Sequence, residues 1–221
     1  YQNPLSHKDK PRYNCWVCCP PNIAKTLFRL GRYAYGFNPD GIFVNLYIGG
    51  TADFTLKAGK VSLTQETNYP WDGAIKLTVN PAAPARFALN LRIPAWCTKA
   101  TVKVNGKSVR CDRLSRTDRG YVQIKRQWQA GDVVEILLDM PVFRVIAHPN
   151  VEACRGQVAI QRGPIIYAVE GLDNNGRVDF TLGTEPQFAT EWRPDLLGGV
   201  TVVKTTDKDG TPITLVPFYV L

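Results

Sequence analysis

The chain changes its hydrophobic period once, between residues 37 and 41. Before that point Ile23, Ala24, Leu27, Leu30 and Ala34 recur at the spacing of one helical face. Pro20 and Pro21 have φ fixed near helical values and lack N–H groups, so they suit a first turn, and Gly36 supplies a stop. The pattern predicts a helix over 21–35. From residue 41 onward the period is two. The run GIFVNLYI at 41–48 is apolar, β-branched and aromatic, as a buried strand requires, and 61–67 and 74–79 alternate. Residues 87–93 place Phe87, Leu89, Leu91 and Ile93 on one face and Ala88, Asn90 and Arg92 on the other, which predicts a half-buried strand.

Residues 101–104 and 107–110 flank Asn105-Gly106, a dipeptide suited to a tight hairpin turn. Strands at 121–124 and 133–138 are joined through Trp128 and the turn Ala130-Gly131-Asp132. A second group starts near Val145, with strands expected at 158–161, 165–169, 178–182, 199–204 and 213–216. No second helical pattern follows the first. Short strands separated by turn signals predict a mainly β fold of antiparallel β-sandwich domains rather than a parallel sheet with crossover helices. A boundary falls at about 140–150.

Composition narrows the class without changing it. With 221 residues, 44% hydrophobic and 21% charged, the chain can bury a core large enough for one large or two small domains. No apolar run approaches the roughly 18 residues of a membrane-spanning helix, so no membrane partner is expected. The net charge of +8 raises a nucleic-acid partner. Its densest basic stretch, Arg110, Arg113, Arg116 and Arg119, is interrupted by Asp112 and Asp118 and has no interleaved aromatics, so it reads as a solvated loop and no nucleic-acid partner is expected. A chain of this size does not need disulfide staples, and Cys97, Cys111 and Cys154 are expected as thiols.

The remaining cysteines carry the candidate chemistry. Cys15, Cys18 and Cys19 lie within CWVCCPPN, just ahead of the predicted helix. Free N–H groups and the positive end of the helix dipole favour a thiolate there, and a thiolate is both a zinc ligand and a nucleophile. Three readings compete: small apolar residues packed at a helix start; a structural zinc site of Cys15, Cys18 and Cys19 with His7 as fourth ligand; and a catalytic thiolate held by a metal. The residues alone do not rank the last two.

The order CCPPN, DGIFVNLYI, LRIPAW, GYVQIKRQWQAGDVVEILLDM and GQVAIQRGPIIYAVE resembles the β-L-arabinofuranosidase-type glycoside hydrolases of family 127, over roughly residues 13–219. The resemblance implies an (α/α)6 helical toroid followed by β-sandwiches. Residues 1–37 would close the toroid and carry the CC motif, 38–143 would form a first β-sandwich, and 144–221 a second, incomplete one. It also implies zinc as cofactor, Cys18 as nucleophile and zinc ligand, and Cys19 as zinc ligand. A glycosyl-thioether would form and hydrolyse with net retention on β-L-arabinofuranosides of plant cell-wall or glycoprotein side chains.

Two family elements are missing: no Glu-x-Cys motif precedes Cys18, and the first glutamate is Glu66. With these gaps and no initiating Met, the chain reads as the C-terminal part of a longer enzyme and is expected to be inactive alone. Its expected partners are the carbohydrate substrate, the upstream part of the toroid and a second copy bound through the β-sandwich region. The compartment stays open between bacterial cytoplasm and periplasm. The alternatives are a self-contained structural zinc site and a non-catalytic β-sandwich module. The module would bind carbohydrate through Trp71, Trp96, Trp128 or Trp192, or buttress the toroid with Arg144, His148 and Arg162 as inter-domain contacts.

Overall fold

The computed structural model describes residues 19–109, 120–196 and 198–220. Helix α1 (Cys19–Ala34) takes Pro20 and Pro21 into its first turn. The chain passes directly into β1 (Tyr35–Asn38), β2 (Gly41–Val44), β3 (Gly50–Leu56), β4 (Gly59–Thr67), β5 (Ala74–Pro81) and β6 (Ala85–Arg92). Then come β7 (Ala100–Val104), β8 (Lys107–Val109), β9 (Tyr121–Trp128) and β10 (Asp132–Leu138). The last group is β11 (Val142–Ile146), β12 (Val158–Arg162), β13 (Ile165–Val169), β14 (Ala189–Arg193), β15 (Val200–Thr206) and β16 (Pro212–Pro217). No described helix is long and apolar enough to cross a membrane.

Two sheets, ordered β1-β2-β6-β9 and β3-β4-β5-β10-β7-β8, face each other across one core. Ile42, Phe87, Leu89, Leu91 and Trp128 from the first meet Leu63, Leu77, Val79, Val134 and Ile136 from the second. All are almost completely buried. Pairing is antiparallel except for β2 beside β6, which run parallel, with Gly41 opposite Ala88. A Cβ at Gly41 would meet the Ala88 carbonyl oxygen at 2.5 Å, so this close approach requires glycine.

Strand β6 corrects the half-buried expectation. Ala88 and Asn90, assigned to its outer face, are buried as well. The strand is flanked on both sides, and the Asn90 amide donates to the Ile42 carbonyl (3.1 Å) while its oxygen accepts from Gln123 (2.9 Å), so neighbouring strands close over it.

The predicted hairpin turn is present, with positive φ at Asn105 (50°) and Gly106 (74°) and Val104 opposite Lys107. Asn105 also reaches the adjacent strand: its amide donates to Asp132 Oδ1 (2.7 Å), and its oxygen accepts from the Val133 N–H (2.8 Å). Burial alone would raise the Asp132 carboxyl. The hydrogen bonds from Asn105 and the Gln129 N–H, with Arg126 nearby, outweigh it and hold the carboxyl below the ordinary aspartate range. The stabilisation from a depressed carboxyl is complete above the unfolded value of about 3.9 and is lost as pH falls through the folded one. Asp132→Asn is therefore expected to cost about 1–3 kcal/mol at neutral pH and to flatten the loss of stability below about pH 4. Urea titrations across that range test this, and an unchanged acid slope would refute it.

Beyond Met140 the chain builds one six-stranded antiparallel sheet, ordered β11-β12-β13-β16-β15-β14. The second β-sandwich expected over 144–221 is thus a single sheet among the described residues. One face, with Tyr167, Val203, Ile213 and Leu215, is covered by Phe180, Leu182 and Phe188; the other, with Val202 and Val216, by Leu196 and Trp71. Coil replaces a second sheet. For the same reason the strand expected at 178–182 is absent: Phe180 and Leu182 point at the sheet as a cover, and only Leu182 makes a bridge, to Asp207.

Candidate functional site

Helix α1 opens at Cys19, immediately after Cys18; Cys15, Cys18 and His7 lie outside the described residues. No acidic side chain occupies its first turn, so its positive pole is not neutralised locally, the setting that favours thiolates next to it. Sixteen residues make the helix about 24 Å long. Along it Ile23 and Leu27 are exposed, and Phe28 is 92% exposed. Among its described side chains only Ala34, at the C-terminal end, is buried.

That end is tied to the first sandwich. The backbone N–H groups of Asn45 and Leu46 donate to the Ala34 carbonyl at 2.8 and 3.2 Å. The Asn45 amide donates to the Tyr33 carbonyl (3.4 Å), and the Tyr121 hydroxyl donates to Asn45 Oδ1 (2.7 Å). Carbonyls left over by the helix are thereby satisfied by a strand end. Asn45 interrupts the apolar run at 41–48 and stops β2 at Val44, a polar break that the sequence reading passed over.

Among the described residues no three His, Cys, Asp or Glu side chains converge as metal ligands. Two thiols at a helix start fit zinc in kind. They make half of a tetrahedral set. Glu66 is on the outer face of the second sheet, paired with Lys76 at 2.8 Å. Cys97 is a buried thiol donating to the Lys99 carbonyl (3.2 Å), and Cys154 is a half-buried thiol. Cys111 lies outside the described residues.

The tryptophans do not form a sugar platform together. Trp128 is fully buried, its indole N–H donating to the Phe87 carbonyl (3.2 Å), and Trp96 packs half-buried on the same core. Trp71 is wedged against the third sheet, edge-on to Trp192 with ring centres 5.8 Å apart, and among the described tryptophans only Trp192 is half exposed. Arg162 donates to the Trp71 carbonyl (3.0 Å), linking the third sheet to the first sandwich. Arg144 and His148 are exposed, and His148 Nδ1 only accepts from the Asn150 N–H two residues on. A groove of about 540 Å³ on the outer face of the second sheet is lined by the cross-strand row Glu66, Lys76, Glu135 and Lys103. No aromatic side chain lines it.

The chain is similar to known proteins along most of its length. The family model described as beta-L-arabinofuranosidase, GH127 middle domain, matches residues 41–140, and that of the glycoside hydrolase family 127 C-terminal domain matches 142–221. A non-reducing end beta-L-arabinofuranosidase of Bifidobacterium longum subsp. longum is 35% identical over 95% of this chain, which spans 33% of that protein. The crystal structure of a GH127 beta-L-arabinofuranosidase from Geobacillus stearothermophilus T6 superposes with a TM-score of 0.85 at 38% identity, over 92% of this chain and 35% of the other. A further GH127 beta-arabinofuranosidase structure gives 0.82 at 35% identity, over 95% and 37%. The chain thus spans about a third of the relatives it matches.

Proposed function

Because the chain belongs to glycoside hydrolase family 127, of which it carries the middle and C-terminal domains, we propose that it is the C-terminal part of a retaining hydrolase of β-L-arabinofuranosides, with Cys18 as nucleophile. The observation that carries the reading from this chain's own residues is the start of α1 at Cys19, the second cysteine of the pair, with no acid in its first turn. Arabinose side chains of plant cell walls or glycoproteins are the proposed substrates.

Cys18 and Cys19 would hold zinc together with ligands from upstream of this chain. The bound metal would supply positive charge that keeps both thiols deprotonated near neutral pH. The Cys18 thiolate then attacks the anomeric carbon, a C–S bond forms, and the glycosidic C–O bond breaks as an upstream acid protonates the leaving oxygen. Water, losing its proton to the same group, attacks that carbon from the opposite side and releases the thiolate. Two inversions give net retention. The chain alone supplies neither the acid nor half of the zinc set and is proposed to be inactive.

The test is hydrolysis of an aryl β-L-arabinofuranoside by the full-length protein, followed by NMR, with zinc content measured alongside. β-Arabinose as first product with one zinc per chain is expected. First release of the α-anomer, or full activity without metal, would overturn the mechanism.

A further inference from the structure

We infer that the loop between β4 and β5 is a docking peg by which the middle domain holds the C-terminal domain. The two domains then open and move as one body, and the crossing between them at 140–142 is not a hinge. The peg is stiff at its base. The Trp71 N–H donates to the Asn68 carbonyl (2.9 Å), the Ala74 N–H to Asp72 Oδ1 (2.9 Å) and the Leu138 N–H to the Gly73 carbonyl (2.9 Å). A Cβ at Gly73 would overlap the Leu138 carbonyl oxygen, so the loop lies directly against the end of β10, beside the crossing.

At the tip, Trp71 packs on both apolar clusters of the third sheet, and its carbonyl accepts from Arg162 Nη1 (3.0 Å). Arg162 stands opposite Val142, the first residue of β11, so this charge-assisted bond closes at the crossing itself. On the other side Met140 is buried against Gly163, whose φ is 56° and where a Cβ would overlap Met140 Cε. Domains that meet through a small polar interface shift against each other, and an apolar one holds them. Here an indole, a guanidinium and a thioether surround the only connection. Both sides of the contact lie within this chain, so upstream segments can add to it and cannot remove it.

Native-state hydrogen exchange of the full-length protein tests the coupling. Val203→Ala weakens the third sheet alone, since Val203 is fully buried within it. In one cooperative body the loss of protection, about ten-fold, appears equally in β15 and β16 and in β5 and β10. Introduced into a Trp71→Ala background, the same change is expected to speed exchange in β15 and β16 and to leave β5 and β10 as they were. Arg162→Met keeps the length of the stem and removes the donors. It should weaken the transmitted effect, and it carries the comparison if Trp71→Ala fails to fold. A loss confined to the third sheet in the otherwise wild-type protein overturns the single body. Transmission that persists undiminished in the folded Trp71→Ala or Arg162→Met background overturns the peg.

Discussion

Cys18→Ala in the full-length protein is expected to lower hydrolysis of an aryl β-L-arabinofuranoside by at least about a thousand-fold, the scale on which removal of a covalent nucleophile is felt. Alanine leaves no atom to form the bond to the anomeric carbon. Cys18→Ser should fare no better, because a hydroxyl at neutral pH carries almost no anion where a thiol beside a helix N-terminus does. The fold should survive both changes: α1 is described from Cys19, and Pro20 and Pro21 supply its first turn. Cys19→Ala separates the two proposed roles, since it removes a ligand and leaves the nucleophile. It is expected to lose zinc as well as rate, and added zinc should restore part of the rate. Far-UV circular dichroism, zinc content and kcat decide the matter. A folded Cys18→Ala protein within ten-fold of wild type would end the thiolate mechanism.

How much of this was legible in the sequence depended on where each signal came from. Local signals read well. The two prolines and the helical spacing after them located α1 to within two residues, and Asn105-Gly106 gave the hairpin because only residues tolerant of positive φ fit there. Signals set by neighbours did not read. Strand β1 follows α1 without a loop, so Tyr35, taken as the helix end, is instead the first strand residue, held by pairing with Val44. Strands β3 and β14 have mostly polar, exposed positions at the sheet edges and carry too weak an alternation to announce themselves. Strand β6 looked amphipathic because Asn90 is polar, yet it is buried through hydrogen bonds to strands far away in sequence. At the site, the cysteine pair was visible as a motif and α1 as its platform. The Asn45–Tyr121 contact spans 76 residues, which no local window connects.

Trp128→Ala is expected to destabilise the first sandwich by about 3–5 kcal/mol, against the roughly 5–15 kcal/mol that holds a domain folded. The ring is fully buried and packs on Phe87 with centres 5.9 Å apart; its N–H is spent on the Phe87 carbonyl, and the Arg126 guanidinium lies over it at 5.2 Å. Truncation leaves a cavity between two sheets that cannot collapse without breaking strand pairing. Trp128→Phe keeps most of the packing and loses the indole donor, so it should cost less, about 1–3 kcal/mol. Urea unfolding of this chain measures both, and a Trp128→Ala loss below about 1 kcal/mol would show that the ring does not support the core. The same burial decides against this tryptophan as a sugar contact. In the full-length protein its loss should reduce the amount of folded enzyme and leave the KM of the folded fraction unchanged, because substrate has no route to a ring sealed between the sheets.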